Sequence, residues 1–323
     1  MDQQTRPSRQ MPPRHHRQTP PSRTPPSPAD FRLCRTWLFR DGAAPATADA
    51  GTEADVLIQD LEDFTTPALR PVARDLAPAL YRQWRAAGRV ACVRINPLAA
   101  CGSLDLAAVM AGAPDIVALP KVDSPARIVE LDALIGEMER DHGLSPESTA
   151  ILPNIESARG ILATAAIATA SPRVIGCLMA SEDLAADLGA ERDRDAAELD
   201  HARGRFLIDC VAAGVIAVDC PYTWSDAEGA AACARRARRL GYTAKSLVDP
   251  GHAGAINAVL TPSPAEIATA RRIVDTFDAA RARGAARVEL DGVLVELPRR
   301  NNAARLLARA HAFIAAGLIG DPS

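Results

Sequence analysis

The feature of this sequence that most constrains its fold is a regular alternation of short apolar runs with longer helical runs after Arg35. Most of the apolar runs are continuous, as expected for parallel strands that are covered on both faces. Eight strand candidates can be counted: 35–39, 55–61, 90–95, 115–121, 149–155, 174–179, 215–219 and 243–248. Helical runs lie between most of them, at 67–87, 103–112, 125–142, 157–169, 195–213 and 226–240. This order predicts an α/β fold, a TIM (β/α)8 barrel with a C-terminal helical extension.

The main alternative from this pattern is an open doubly wound sheet. No glycine fingerprint follows the first strand, which disfavours a dinucleotide-binding version. We expect the barrel, as the catalytic domain, to occupy residues 31–262. Residues 263–323 form the expected extension, with helical runs at 263–284 and 299–317 and an acidic-apolar stretch at 287–298 between them. This extension caps the site or packs on a neighbouring subunit.

Residues 1–30 differ from the rest of the chain, because they hold eight of the 25 prolines and five arginines without an apolar cluster. Such a segment cannot bury enough surface to offset the entropy of ordering it, so we expect a disordered, solvated Pro/Arg-rich tail. A nucleic-acid arm and a targeting peptide are the less favoured interpretations.

Composition excludes several classes of function. The net charge is −3 and the basic residues are scattered, which argues against a nucleic-acid partner. No apolar run reaches the roughly 18 residues of a membrane helix, so no membrane partner is expected. The seven cysteines are dispersed without a CxxC spacing, which indicates reduced thiols and a cytoplasmic location.

Polar residues gather where the predicted strands end, and in a TIM barrel these carboxyl ends form the active face. They are Asp60, Glu62, Asp63, Arg94, Asn96, Lys121, Asp123, Glu156, Glu182, Asp183, Asp249 and His252. A set of acids with one arginine and one lysine suits Mg²⁺, or Mn²⁺, since both prefer oxygen ligands. Glu156 and Asp183 are the strongest candidates, because like charges at neighbouring strand ends repel unless a cation lies between them.

Each of these residues also has a structural interpretation. Glu156 and Asp183 could each be a favourable charge or cap at a helix start. The acids at 60–63 cannot all face one site, and some of them would cap the next helix or pair with arginine. Arg94 ends an apolar strand and needs a partner. Lys121 could form a Schiff base or a structural salt bridge.

Seven segments, in order between Arg35 and Ala310, resemble the HpcH/HpaI aldolase and citrate lyase β-subunit family, and within it the CitE-like acyl-CoA lyases. The segments are Arg35-Thr-Trp-Leu-Phe, Leu57-Ile-Gln-Asp-Leu-Glu-Asp63, Val93-Arg-Ile-Asn-Pro97, Leu119-Pro-Lys-Val122, Leu152-Pro-Asn-Ile-Glu-Ser157, Ser181-Glu-Asp-Leu-Ala-Ala-Asp-Leu-Gly189 and Thr261-Pro-Ser263. Each segment alone is weak, whereas their joint order and spacing are specific.

The resemblance implies a TIM barrel and a divalent metal, usually Mg²⁺, with Glu156 and Asp183 as its ligands. Arg94 matches the arginine that steadies the substrate carbonyl and the developing enolate. Glu62 and Asp63 match acids that hold metal-bound waters or orient Arg94. The family makes or breaks C–C bonds next to a carbonyl, typically in 3-hydroxyacyl-CoA thioesters such as malyl-CoA or citramalyl-CoA.

The resemblance also carries expectations for substrate binding and assembly. We expect Arg35, Asn96 and Lys121 to bind substrate, and the chain to form a homo-oligomer, either a trimer or a hexamer. In CitE-like lyases, an aspartate in the C-terminal region reaches a neighbouring subunit's site. The matching residue here is Glu296, which retains an acid with one more methylene.

Two loops depart from the family pattern. Phe39-Arg-Asp-Gly42 replaces the usual Phe-Val-Pro-Gly after the first strand, and Asp249-Pro250 replaces His-Pro after the eighth, with His252 nearby. Three hypotheses follow. The first is a Mg²⁺-dependent lyase of CoA thioesters, the second a class II aldolase on free 2-oxo acids such as pyruvate or oxaloacetate, and the third a non-catalytic acyl-binding subunit.

Overall fold

The computed structural model describes residues 31–49 and 51–320, and it confirms the TIM barrel. Eight parallel strands close into a barrel in sequence order, and the eighth pairs back with the first. They are β1 (Thr36–Asp41), β2 (Val56–Asp60), β3 (Val90–Arg94), β4 (Ile116–Leu119), β5 (Ala150–Ile155), β6 (Gly176–Met179), β7 (Ile216–Asp219) and β8 (Ala244–Leu247). The tail expected at 1–30 lies outside the described residues.

Helices surround the barrel and continue beyond it. They are α1 (Arg70–Ala86), α2 (Ser103–Val109), α3 (Pro125–His142), α4 (Ala158–Ala168), α5 (Ser181–Leu188), α6 (Asp200–Ala213), α7 (Ala227–Leu240), α8 (Ala253–Leu260), α9 (Pro264–Ala282) and α10 (Leu297–Ala315). The link from β1 to β2 carries only a short 3-10 turn, Ala46–Asp49. Within the described part of the chain, no helix has the length and apolar character needed to cross a membrane.

Alternate side chains of the strands fill the barrel lumen. One buried cluster takes side chains from all eight strands, including Trp37, Ile58, Cys92, Ala118, Leu152, Leu178, Val218 and Ala244. Successive side chains of a strand point to opposite faces, so residues two positions further along point the same way. Asp60, Arg94 and Asn154 therefore lie on the lumen side of β2, β3 and β5, at their carboxyl ends.

The extension consists of α9, a two-stranded hairpin and α10. The stretch expected between the two helices is this hairpin, formed by β9 (Val288–Leu290) and β10 (Val293–Val295). Its turn uses Asp291 and Gly292, both at positive φ, as a tight hairpin turn requires. Arg309 of α10 donates to the backbone carbonyls of Arg32 and Thr243, just before β1 and β8. The extension is therefore attached at the amino-terminal end of the barrel.

Candidate active site

Arg94 and Asp60 form the centre of the polar cluster at the carboxyl end of the barrel. The two residues are register partners at the ends of β3 and β2. Arg94 Nε donates to Asp60 Oδ1 at 2.9 Å, and Nη2 donates to Oδ2 at 2.5 Å. Both side chains are buried, so this two-point ion pair fixes the plane of the guanidinium. Asp60 is the partner that an arginine at the end of an apolar strand requires.

Three further acids face the same guanidinium. Arg94 Nη1 lies 3.2 Å from Glu62 Oε2 and 4.0 Å from Glu156 Oε1, and Nη2 lies 3.8 Å from Asp63 Oδ2. Burial alone would lower the pKa of Arg94, but Asp60, Glu62 and Glu156 together raise it above its ordinary value. Arg94 therefore remains charged, and it joins acids from two different strand ends.

Two aromatic rings lie beside the guanidinium. The guanidinium carbon of Arg94 lies 4.8 Å from the ring centroid of Phe39 and 6.0 Å from that of Phe64. These cation–π contacts restrict the side chain without consuming its N–H groups. Arg94 is thus preorganised by acids and by two aromatic rings.

Lys121 forms a salt bridge with Glu62. Its Nζ lies 2.5 Å from Glu62 Oε1, and the hydrogen bond that Lys121 donates to this carboxylate raises the pKa of Lys121. Lys121 adopts a φ of 54°, a left-handed conformation that costs a non-glycine residue about 1–2 kcal/mol. A Schiff-base lysine needs a lowered pKa, so this geometry favours the salt bridge.

Glu156 has the chemistry of a cation ligand. It follows β5 directly, and both of its carboxylate oxygens are buried without a hydrogen-bond partner among the described residues. Burial raises the pKa of Glu156 to about 8; Arg94 opposes the shift, while Glu62 and Asp183 add to it. Asp183 lies in the first turn of α5, directly after β6. A buried carboxylate with free oxygens beside a second acid fits a hard divalent cation.

The protein would supply few ligands to such an ion. In residues 31–49 and 51–320, no group of three or more His, Cys, Asp and Glu side chains is arranged to hold a metal. Mg²⁺ is commonly bound through one or two carboxylates and keeps several waters. Two carboxylates, Glu156 and Asp183, match that need, and they leave positions for substrate oxygens.

The structure does not bring Arg35 to this cluster. Arg35 precedes β1 at the amino-terminal end of the barrel, where its Nη2 lies 2.9 Å from Asp55 Oδ1 and its Nη1 donates to Thr261 Oγ1 at 2.8 Å. Its guanidinium also lies over the ring of Phe313 in α10. The substrate-binding role expected for Arg35 has no support in this geometry, which instead ties the extension to the barrel.

Asn96 and Glu296 also differ from the arrangement expected. The Asn96 amide nitrogen donates to the carbonyl of Leu61 and to the carboxylate of Asp105, which leaves only its carbonyl oxygen for a ligand. Glu296 directly precedes α10, is exposed and does not cap that helix. Among the residues that the structure describes, no hydrogen bond or ion pair joins Glu296 to Arg94.

The altered segment at the end of β1 packs tightly on β2. A Cβ atom added at Gly42 would lie 2.6 Å from the backbone oxygen of Asp60, so only glycine fits without a shift. Gln59 Nε2 donates to the carbonyl of Gly42 at 2.9 Å, and Arg40 pairs with Asp49. The substituted residues Arg40 and Asp41 are thus the last two residues of β1, where Asp41 is the register partner of Asp60.

Sequence reasoning missed two polar residues of this region. Asn154 and Ser181 are both buried, and their side chains have no hydrogen-bond partner among the described residues. The position of Asn154 in the sequence could have identified it. Asn154 lies two residues after Leu152 and two before Glu156, and alternate residues of a strand share one face. Ser181 gave no such signal.

Comparisons with known proteins identify the family of this chain. The HpcH/HpaI aldolase/citrate lyase family profile matches residues 35–250. Citrate lyase subunit beta of Leuconostoc mesenteroides subsp. cremoris is 33% identical over 285 residues, which cover 87% of this chain and 94% of that protein. A (3S)-malyl-CoA thioesterase of Cereibacter sphaeroides is 32% identical over 267 residues, 82% of this chain and 90% of that protein.

A solved structure is similar over most of the chain. CitE from Mycobacterium tuberculosis, in complex with magnesium, acetoacetate and coenzyme A, matches with a TM-score of 0.69 and 30% identity. The match covers 87% of this chain and 99% of that one. The barrel, the acids at its strand ends and these relatives lead to one conclusion: the chain is an enzyme that belongs to the HpcH/HpaI aldolase/citrate lyase family, with CitE-like CoA-thioester lyases among its relatives.

Proposed function

We propose that this protein is a Mg²⁺-dependent carbon–carbon lyase that cleaves, or forms, a 3-hydroxyacyl-CoA thioester such as malyl-CoA or citramalyl-CoA. The observation that carries the proposal is Glu156, buried with two unpartnered oxygens between Arg94 and Asp183. The magnesium and coenzyme A bound by the similar CitE, and the malyl-CoA thioesterase among the relatives, support this substrate class.

Each residue of the site has a separate role in this proposal. A Mg²⁺ ion held by Glu156 and Asp183 would polarise the carbonyl of a 2-oxo acid as a Lewis acid. Arg94 supplies a fixed positive charge for the enolate of the acyl half, and such preorganised charge is worth several kcal/mol in a dry site. Glu62 orients Arg94 from one side, while its other oxygen holds Lys121.

The proposal is tested by turnover with defined thioesters. Purified protein is incubated with malyl-CoA and citramalyl-CoA in Mg²⁺, and the released 2-oxo acid and CoA products are separated by chromatography. We expect stoichiometric 2-oxo acid and acyl-CoA, and loss of activity in EDTA that added Mg²⁺ restores. Release of free CoA without 2-oxo acid would indicate a thioesterase instead. Failure to cleave any of these thioesters would refute the CoA-thioester proposal.

The loop at Arg40 and Asp41 favours a second candidate, a class II aldolase on free 2-oxo acids. This loop departs from the family sequence expected to help hold CoA. Pyruvate or oxaloacetate with a series of aldehydes therefore forms the second arm of the assay. Metal-dependent aldol products, combined with no thioester cleavage, would favour this candidate.

We further propose a homo-oligomer, a trimer or hexamer, in which Glu296 completes a neighbouring site. Exposed apolar side chains flank this acid: Val293 is 41% exposed, Leu294 50% and Leu297 55%. An acid at the centre of an exposed apolar patch suits insertion into a partner surface. In that position Glu296 is the candidate general acid/base for the proton of the substrate alcohol.

Complementation tests whether sites are shared between subunits. Glu156→Gln and Glu296→Gln are each expected to be nearly inactive as pure proteins. If Glu296 acts in a neighbouring subunit, co-expression of the two should restore about a quarter of wild-type activity, because each site draws on two randomly assorted chains. Mixed oligomers that stay inactive would show that Glu296 acts within its own chain, and a pure Glu296→Gln protein with wild-type turnover would show that it does not act.

A further inference from the structure

Asn154 is a buried amide without a hydrogen-bond partner among the described residues. It is fully inaccessible to solvent, and both its Oδ1 and its Nδ2 are unpaired there. An unpaired buried polar group costs about 1–3 kcal/mol. A leucine, with the same branching, would avoid that cost, so an asparagine here needs a function or a partner that is not part of the fold.

Strand register places Asn154 at the level of Arg94 in the lumen. Arg94 pairs with Ala118, and Ala118 pairs with Leu152 on β5. Barrel strands tilt by about 36°, so across two strands the level shifts by about two residues. The residue of β5 that is level with Arg94 is therefore Asn154. Alternate strands share one layer of side chains in such a barrel, so these two residues belong to the same layer.

The surroundings of Asn154 explain why it lacks a protein partner. Its register neighbour on β6 is Leu178, and Leu152 lies below it on the same face, and both are buried and apolar. Above it, on the same face of the strand, comes Glu156, whose two oxygens are also unpartnered. Ser181, which starts α5, adds a third unpartnered buried group. These orphaned polar atoms belong to the ends of β5 and β6, whereas the satisfied ion pair of Arg94 and Asp60 ends β3 and β2.

We propose that Asn154 is a substrate-binding residue, whose Nδ2 donates a hydrogen bond to an oxygen of the small 2-oxo acid on the lumen side of Glu156. The inference rests on the proposed function, because it assumes a ligand of that class. An uncharged amide adds specificity here without adding a charge to a site that already holds five acids. The amide would favour a short 2-oxo acid with an oxygen at this end, and would disfavour a ligand with an apolar group of the same length there.

Asn154→Leu is the decisive variant, since it keeps the branching and the number of heavy atoms of the side chain and removes both polar atoms. We expect its melting temperature to equal or exceed that of the wild type, because an unpaired amide is lost. We expect kcat/KM to fall about 10- to 100-fold, because the variant loses one hydrogen bond to a charged group of the substrate. The dissociation constant for pyruvate in the presence of Mg²⁺, from thermal shift or calorimetry, should weaken by a similar factor. Mg²⁺ binding alone should not change.

Leu178→Met is the matched control, a volume-conserving change at the register neighbour, and it should alter neither activity nor pyruvate affinity by more than about twofold. An Asn154→Leu protein that binds pyruvate as tightly as the wild type would overturn the inference, as would a wild type that binds no 2-oxo acid. A wild type that binds pyruvate but cleaves no thioester would instead refute the proposed function alone.

Discussion

Glutamine in place of glutamate at position 156 is expected to abolish turnover and, at the same time, to stabilise the metal-free protein. Both effects come from the same cause, a carboxylate buried without a hydrogen-bond partner. The negative charge of Glu156 is needed to hold a divalent cation. Without the cation, the charge is compensated by Arg94 at 4.0 Å and more weakly by Lys121, against repulsion from Glu62 and Asp183.

The pH dependence of this stability has a defined sign. Burial raises the folded-state pKa of Glu156 from 4.5 to about 8. Between these values the folded chain keeps a proton that the unfolded chain has lost, so the free energy of unfolding falls as pH rises, by at most about 1.4 kcal/mol per pH unit. Below pH 4.5 this contribution is fully present, and above pH 8 it is gone. Glutamine does not titrate, so Glu156→Gln should be the more stable protein at pH 8 by about 2–4 kcal/mol.

Urea unfolding in EDTA at several pH values measures this difference. The same titration with Mg²⁺ should stabilise the wild type and leave Glu156→Gln unchanged, because only a ligand-binding native state gains stability from the ligand. Loss of kcat should reach at least about a thousandfold. Glu139→Gln is the matched control: Glu139 is equally buried but is paired with Arg173. That variant should lose stability and keep Mg²⁺-dependent activity. If Glu156→Gln were less stable than the wild type at pH 8, Glu156 would not be a buried carboxylate that needs a cation.

Replacing Arg94 should lower both stability and activity. Arg94→Met leaves the buried carboxylate of Asp60 without its cation and Glu62 with Lys121 alone, and breaking a buried pair in this way costs about 3–5 kcal/mol. Arg94→Lys keeps the charge but cannot make two parallel hydrogen bonds to Asp60. We expect the lysine variant to fold with a moderate stability loss and to retain less than about one hundredth of wild-type kcat.

A second buried arginine, Arg173, separates the effect on stability from the effect on activity. Arg173 also makes a buried ion pair, with Glu139 and Asp132, but it precedes β6 at the amino-terminal end of the barrel. Arg173→Lys should lose a comparable amount of unfolding free energy without a change in kcat. If Arg94→Lys and Arg173→Lys lost activity equally, Arg94 would be a structural residue only. Wild-type turnover that disappears in Glu156→Gln would also exclude the hypothesis of a non-catalytic subunit.

Much of the fold and of the site could be predicted from local sequence. Strand ends follow from the order of apolar and helical runs, and this placed Glu156, Asp183 and Arg94 at one end of the barrel. The requirement for a partner of Arg94 is met by Asp60, since buried arginines are paired. Asn154 could not be found in this way, because its importance depends on register and on the absence of partners, which no local pattern encodes.

Two expectations rested on resemblance rather than on position. Arg35 precedes its strand, so strand polarity alone places it at the amino-terminal end of the barrel, away from Arg94. Glu296 lies beyond the barrel, and its location relative to any site depends on how whole chains assemble. In both cases the motif identified the residue, but physical placement required the three-dimensional arrangement.

The anchoring of the extension through Arg35 and Arg309 has a consequence for how such a protein can diverge. The contacts that hold α10 lie at one end of the barrel, and the reacting groups lie at the other. Substitutions just after the hairpin can therefore change the acid at position 296 without disturbing Arg94 and its acids at the other end of the barrel. Under the proposed function, a new substrate preference could then arise by exchanging a peripheral part, and the carboxylates of Glu156 and Asp183 need not be rebuilt.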